Sequence, residues 1–98
     1  IGNSVISIGQ NAFYKCINYS DYIVGTNIDK IGTYAFSESG IEKVFLYGNT
    51  NVENYAFAKC DDLNTVLITT DYQNLASVFY GCTNITTGKF GIGIYTNF

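Results

Sequence analysis

Apolar residues recur along the chain with a period near 22 residues. The clearest marker is a phenylalanine preceded by alanine or valine, and its four copies are separated by 23, 21 and 22 residues. These markers are Phe13, Phe36, Phe57 and Phe79. Because self-similarity at a fixed period is the signature of repeat architectures, we interpret the chain as about four copies of one structural unit.

Further apolar columns keep the same phase as the phenylalanines. Five residues before the marker, the first three copies carry Ile8, Ile31 and Val52. A second column follows the marker at Tyr19, Ile41, Leu63 and Ile85. Length changes fall between these columns, in segments where turns tolerate them. The columns are therefore predicted to face a shared core.

The segment after the second column alternates with period two. In residues 65–69, Val66 and Ile68 alternate with Leu67. Such alternation predicts a short strand with successive side chains on opposite faces. Because successive copies run in the same direction, their strands would stack as a parallel sheet. The sequence thus predicts a β-rich repeat solenoid, with a parallel sheet on one face and turns or short helical segments on the other.

The repeats predict a single domain of about four coils, at roughly 1–24, 25–46, 47–68 and 69–90. The tail alternates Phe90, Ile92 and Ile94 with glycine, so residues 91–98 are expected to form a last strand or a partial cap. Repeat arrays need such shielding at their terminal units, and nothing comparable precedes the first copy. We therefore expect the chain to be part of a longer array.

The outward-facing strand positions are the candidate binding site. If Val44 and Val66 face the core, the residues beside them face solvent. Adjacent apolar side chains on an exposed sheet form a patch, and such patches tend to mark partner contacts. The alternative is a patch covered by the rest of a longer protein or by a neighbouring molecule. The candidate residues, with the apolar ones as anchors and the lysine as a rim charge, are Ile23, Phe45, Tyr47, Leu67 and Lys89.

Composition excludes several kinds of chemistry. The 98-residue chain contains no His, Arg, Trp, Met or Pro. It can therefore form no Ser–His or Cys–His pair, no imidazole metal site and no bidentate phosphate clamp. A net charge of -3 with scattered lysines gives no surface for nucleic acid. No run of about 18 apolar residues occurs, so we expect no direct membrane insertion.

The cysteines occupy one repeat position, where the second copy has Ser39. That position therefore requires a small side chain rather than a thiol, and free Cys behaves as a small buried hydrophobe. We expect Cys16, Cys60 and Cys82 to lie in one column inside the wall of the array. Zinc would need ligands paired at close spacing, so we predict no metal and no cofactor. A disulfide between Cys60 and Cys82 stays possible, because neighbouring coils bring Cα atoms within bridging distance.

Two other polar motifs carry less information. Asp61 and Asp62 follow a cysteine in a predicted turn, where Asp is favoured, and do not indicate paired catalytic carboxylates. The sequons at Asn18 and Asn84 are as frequent as chance predicts in an Asn- and Thr-rich chain. Neither motif indicates an enzyme or a compartment.

The repeated segments resemble the BspA-like type of leucine-rich repeat. "VISIGQNAFYKC" (5–16), "IDKIGTYAFSESGIEKVFL" (28–46) and "VENYAFAKCDDLNTVLI" (52–68) follow roughly V-x-x-I-G-x-x-A-F-x-x-C-x-x-L-x-x-I-x-I. The fourth copy departs from it at Val78, in place of Ala, and at Gly88, in place of an apolar strand residue. The resemblance implies a leucine-rich-repeat right-handed superhelix.

The resemblance also implies a function. Such arrays occur in surface or secreted proteins of bacteria and protozoa, where they resemble adhesion modules, and no catalytic residue belongs to the pattern. We therefore expect no enzyme but a module that binds a protein or glycan through its concave sheet, at the cell surface or outside the cell. The alternative is a structural component that packs against copies of itself in a filament, coat or surface layer.

Replacement of Cys60 by serine tests the structural interpretation of the cysteine column. Because Ser39 already occupies the equivalent position, Cys60→Ser is expected to leave the fold intact and to destabilise the protein less than truncation of a marker phenylalanine. Thermal unfolding followed by circular dichroism measures the change. Loss of folding would instead show that the thiol forms a bond essential to the structure.

Overall fold

A computed structural model of the chain describes residues 6–20, 23–25, 28–46, 50–68, 74–85, 87–90 and 93–94. These residues include eight short strands and one short helix. The elements are β1 (Ser7–Ile8), β2 (Ile23–Gly25), β3 (Lys30–Ile31), β4 (Lys43–Leu46), β5 (Asn51–Val52), β6 (Thr65–Ile68), α1 (Leu75–Val78), β7 (Thr87–Phe90) and β8 (Gly93–Ile94).

The strands form two sheets. A three-stranded parallel sheet has the order β1-β3-β5, and a five-stranded sheet has the order β2-β4-β6-β7-β8. In the larger sheet β2, β4, β6 and β7 are parallel, which confirms the predicted parallel arrangement. Between two successive strands of one sheet, the chain passes through a turn and through a strand or turn on the opposite side of the unit. A repeat fold requires this alternation.

Two features of the sheets go beyond the sequence prediction. The three-stranded sheet consists of two-residue strands, which are too short to show a period-two pattern in the sequence. In the tail, β8 pairs antiparallel with β7, so that Gly93 lies opposite Phe90. Ile92 of the predicted tail strand lies outside the described residues.

The core lies between the sheets and is built from the predicted columns. In β4 and β6 buried residues alternate with partly exposed or exposed ones, so each strand turns one face inward. The column that follows the marker also contributes, with Ile41 and Leu63 fully buried and Tyr19 and Ile85 packed against them. The buried strand residues are Ile8, Ile31, Val44, Leu46, Val52, Val66 and Ile68.

The four marker phenylalanines form a continuous stack through the core. Consecutive ring centroids lie 4.9, 5.2 and 5.6 Å apart, and the interplanar angles are 5°, 5° and 14°. Phe36, Phe57 and Phe79 have no exposed surface, whereas Phe13 is partly buried. Each ring therefore packs against the equivalent ring of the next unit.

Backbone hydrogen bonds in the turn around each phenylalanine alternate in direction. In the third unit the amides of Tyr55, Phe57 and Lys59 donate to carbonyls of the fourth unit at 2.6 to 3.1 Å. The intervening amides of Ala56 and Ala58 donate to carbonyls within their own turn. Every second amide of the turn thus connects two units, and no buried amide of this segment loses its partner.

This alternation requires a left-handed backbone conformation on both sides of the phenylalanine. Two residues before it and two residues after it, φ is positive in the first three units, and Gly81 has φ of 74° in the fourth. A non-glycine residue in this conformation costs about 1–2 kcal/mol, which the crossing hydrogen bonds offset. The non-glycine residues with φ of 54° to 63° are Asn11, Lys15, Tyr34, Glu38, Tyr55 and Lys59.

The register of β2 differs by one residue from the one that the 22-residue spacing predicts. Ile23 pairs with Val44, which faces the core, and Val24 pairs with Phe45. The reason is one additional residue in the first unit, because Tyr19 and Ile23 are separated by one residue more than Ile41 and Val44. A constant spacing of 22 residues takes no account of this additional residue between Tyr19 and Ile23. It therefore aligns the first strand one residue away from its observed pairing.

Truncation of a buried member of the phenylalanine stack tests the packing. Phe57→Ala is expected to cost about 3 to 5 kcal/mol of unfolding free energy, because it removes a fully buried ring from between two neighbours. Urea denaturation measures this difference. The matched control is Phe13→Ala, which removes a partly buried ring and is expected to cost less; a loss below about 1 kcal/mol for Phe57→Ala would contradict the packing.

Candidate functional site

The outer face of the five-stranded sheet carries two adjacent apolar side chains. Phe45 in β4 and Leu67 in β6 are opposite each other in the parallel register, and both are only partly buried. Their neighbours along each strand face the core, so this pair lies on the solvent side. We call the pair, together with the register positions of Val24 and Lys89, the outer sheet face.

The structure places the predicted site residues as follows. Phe45, Leu67 and Lys89 occupy consecutive positions of one register column, as the spacing predicts. Ile23 lies in β2 opposite Val44, so its register position is on the inner column, and Val24 takes the position opposite Phe45. Tyr47 lies outside the described residues.

A polar border adjoins the amino ends of β4 and β6. The Asn64 side-chain oxygen accepts hydrogen bonds from Lys43 Nζ at 3.2 Å and from Thr65 Oγ1 at 2.7 Å. The Asn64 amide donates to the Asp62 carbonyl at 3.3 Å. Lys43 and Asn64 therefore connect two units beside the apolar pair.

The cysteine column has a structural role in the third and fourth units. Cys60 Sγ donates to the Phe36 carbonyl at 3.0 Å, and Cys82 Sγ donates to the Phe57 carbonyl at 2.9 Å. Each thiol thus bonds the preceding unit. A hydrogen bond with Cys60 and burial raise the pKa of Cys82 far above its ordinary value, which keeps that thiol protonated at neutral pH.

The first cysteine does not follow this pattern. All three cysteines are free, and Cys60 and Cys82 are buried as predicted. Cys16, however, is exposed, so the prediction that it lies inside the wall is wrong. Cys60 is enclosed by Ser39 of the second unit and Cys82 of the fourth, whereas no described unit precedes Cys16.

The described residues provide no constellation for metal chemistry. Among them, no group of three or more His, Cys, Asp or Glu side chains could hold a metal ion. Asp61 and Asp62 are exposed in the turn after Cys60, and the Asp61 carbonyl accepts a hydrogen bond from Asn84 Nδ2 at 2.6 Å. No helix in the described part of the chain has the length and apolar character needed to cross a membrane.

A row of exposed tyrosines on the turn surface was missed from the sequence. Each ring contacts the next, with centroids 6.1, 5.4 and 6.0 Å apart. In the two middle units the tyrosine stands two residues before the phenylalanine, and in the outer units it directly follows the phenylalanine. The four tyrosines come from two different positions of the repeat. When the repeats are aligned by position, the tyrosines therefore appear in two separate columns and not in one. We call Tyr14, Tyr34, Tyr55 and Tyr80 the tyrosine row.

Comparison with known proteins agrees with the repeat fold. A family model described as the BspA type leucine rich repeat region (6 copies) matches residues 1–96 of the chain. No curated protein and no solved structure shows significant similarity to it.

Thiol accessibility provides a direct test of the three cysteine environments. Iodoacetamide is expected to alkylate the folded protein once, at Cys16, because the other two thiols are buried and bonded to carbonyls. Mass spectrometry of the intact chain and its peptides measures the number and position of adducts. A Cys16→Ser variant should remain unmodified until it is unfolded in urea, and alkylation of Cys60 or Cys82 in the folded state would contradict the structure.

Proposed function

This chain belongs to the BspA-type leucine-rich repeat family, and we propose that it is a non-catalytic recognition module whose outer sheet face binds a protein or a glycan. Leucine-rich repeat modules generally mediate protein interactions and are typically not enzymes. Repeat arrays commonly use extended concave surfaces for binding. We place the module at the cell surface or outside the cell, where proteins of this family are typical.

The architecture that we propose for this role is a right-handed solenoid with the five-stranded sheet on its concave side. The support comes from the regular order of the strands, in which the equivalent strands of neighbouring units pair in parallel. The phenylalanine stack keeps the units in phase. Side chains of the outer sheet face would then converge on one ligand surface.

The observation that carries the proposal is the pairing of Phe45 and Leu67 on the solvent side of the sheet. Aromatic and aliphatic side chains that remain partly exposed beside an ordered polar border are typical of the apolar centre and polar rim of interfaces. We propose Phe45 and Leu67 as anchors and Lys89 as a rim charge. Tyr47 completes the proposed site, and the register puts Val24 in the place that the sequence assigned to Ile23 beside Phe45.

Assembly with copies of the same chain is a second candidate function. The first described unit exposes Ile6 and Ile17, at 62% and 74% of their surface, where another repeat unit would cover them. Apolar side chains exposed to this degree mark contact surfaces when they adjoin. In this role the units would continue from one molecule to the next in a filament, coat or surface layer.

Substitution of Leu67 by lysine tests ligand recognition. Lysine removes an apolar anchor and adds a charge beside the register position of Lys89, so thermal unfolding checks that the variant folds. Binding to arrays of extracellular proteins and glycans is expected to fall at least about tenfold for Leu67→Lys and for Phe45→Lys. Asp61→Asn, in an exposed turn outside the sheet, is the control that should leave this binding unchanged. Failure of every array component to bind, or binding insensitive to both lysine variants, would contradict the proposal.

The oligomeric state separates recognition from assembly. Sedimentation velocity over a wide concentration range is expected to show a monomer if the chain is a recognition module. Ordered oligomers that Ile17→Lys dissociates would support assembly through the first described unit. Ordered oligomers that Leu67→Lys dissociates would overturn ligand recognition by the outer sheet face in favour of assembly through that face.

A further inference from the structure

The tyrosine row arises from an exchange between two repeat positions. Where the tyrosine stands two residues before the phenylalanine, the position after the phenylalanine carries a small residue, Ser37 or Ala58. Where the tyrosine follows the phenylalanine, the position two before it carries Asn11 or Ser77. Each unit therefore supplies one aromatic ring to the same surface line, although the ring comes from different positions.

The tyrosines are not part of the core. Their exposed fractions lie between 37% and 54%, whereas Ser37 and Ala58 beside them are buried. Tyr34 and Tyr55 are stacked at an interplanar angle of 9°, and the end rings of Tyr14 and Tyr80 stand at 65° and 89° to them. The row thus presents aromatic edges in its middle and differently oriented rings at its ends.

An open groove of about 730 Å³ runs beside all four tyrosines. Its polar lining includes Gln10 and Asn11 of the first unit, Glu38 of the second and Lys59 of the third. One carboxylate and one ammonium group leave the lining without net charge. The groove therefore combines apolar rings with hydrogen-bond donors and acceptors, and it carries one negative and one positive side chain.

We propose that this groove binds a neutral, extended oligosaccharide of β-linked pyranose units. A pyranose ring has apolar C–H surfaces that contact aromatic side chains, and its hydroxyl groups both donate and accept hydrogen bonds. Tyrosine suits such a ligand because it combines a rigid apolar ring with a polar tip. Consecutive ring centroids lie 5.4 to 6.1 Å apart, so that neighbouring rings can contact neighbouring sugars of one extended chain.

The lining disfavours two other ligands that aromatic surfaces recognise. A quaternary or methylated ammonium group would have to compete with Lys15, whose Nζ lies 5.3 Å from the centroid of the Tyr14 ring, and with Lys59 in the groove. A proline-rich peptide offers carbonyl acceptors but few donors, so it would leave the Glu38 carboxylate without a partner. A neutral sugar satisfies both Glu38 and Lys59.

The proposed sugar site is separate from the outer sheet face. It lies on the turn surface, and none of its lining residues belongs to the five-stranded sheet. The two proposals rest on different residues, so failure of one leaves the other standing.

Two substitutions remove tyrosines while retaining residues that the repeat already uses. Tyr55→Asn introduces the residue that stands at the equivalent position of the first unit, where Asn11 has φ of 60° against 63° for Tyr55. Tyr80→Ser introduces the residue found after the phenylalanine in the second unit. Thermal unfolding checks that each variant folds, and Asp61→Asn, in an exposed turn outside the groove, is the control.

The experiment uses saturation-transfer NMR and calorimetry with the hexasaccharides of β-1,4-linked glucose and N-acetylglucosamine. Maltohexaose serves as a curved, α-linked comparison and a proline decamer as the peptide comparison. We expect one or both β-linked hexasaccharides to bind, and binding to weaken at least about tenfold in Tyr55→Asn and Tyr80→Ser but not in Asp61→Asn.

Several outcomes would overturn the proposal. These are binding of neither β-linked hexasaccharide, binding that survives both tyrosine variants, equal or tighter binding of maltohexaose, and binding of the proline decamer alone. Because both tyrosine variants use residues native to the repeat, loss of folding in one leaves the other to decide.

Discussion

The hydrogen bond from each of the first three marker phenylalanine amides to the next unit is the contact on which the rest of the structure depends. Phe13, Phe36 and Phe57 donate to carbonyls of the following unit at 2.6, 2.7 and 3.0 Å. A bond at this point fixes the distance and the rotation between units. Three further contacts follow from that spacing. The phenylalanine rings stack in parallel, and the inner strand residues pair in register. The cysteine thiols also reach the carbonyl of the phenylalanine in the preceding unit.

Much of the fold could be predicted from the sequence because its columns are buried. Positions such as Ile41 and Val66 admit only apolar side chains, so the period remains visible in the sequence. The strand register of the first unit could not be predicted, since one extra residue between Tyr19 and Ile23 is invisible in the hydrophobic pattern. The prediction that Cys16 is buried was wrong for a related reason. The neighbouring units, and not the position in the repeat, determine how exposed a cysteine is.

The functional surfaces were predictable to different degrees. The Phe45 and Leu67 pair follows directly from strand alternation, which is a strict geometric rule. The tyrosine row follows no such rule, because a long side chain can reach one surface point from two backbone positions. The left-handed conformation at Tyr34 and Tyr55 directs those rings toward the line that Tyr14 and Tyr80 reach from beyond the phenylalanine.

The alternating amides of the turn have a mechanical consequence. The bonds that cross between units run along the direction in which the units succeed one another, so tension applied between the first and last units loads successive rows of bonds in series. An array of this kind yields one unit at a time, and each released unit of roughly 22 residues supplies about 75 Å of extended chain. The rows of turn bonds are therefore the contacts that such a load would have to break before the chain could extend.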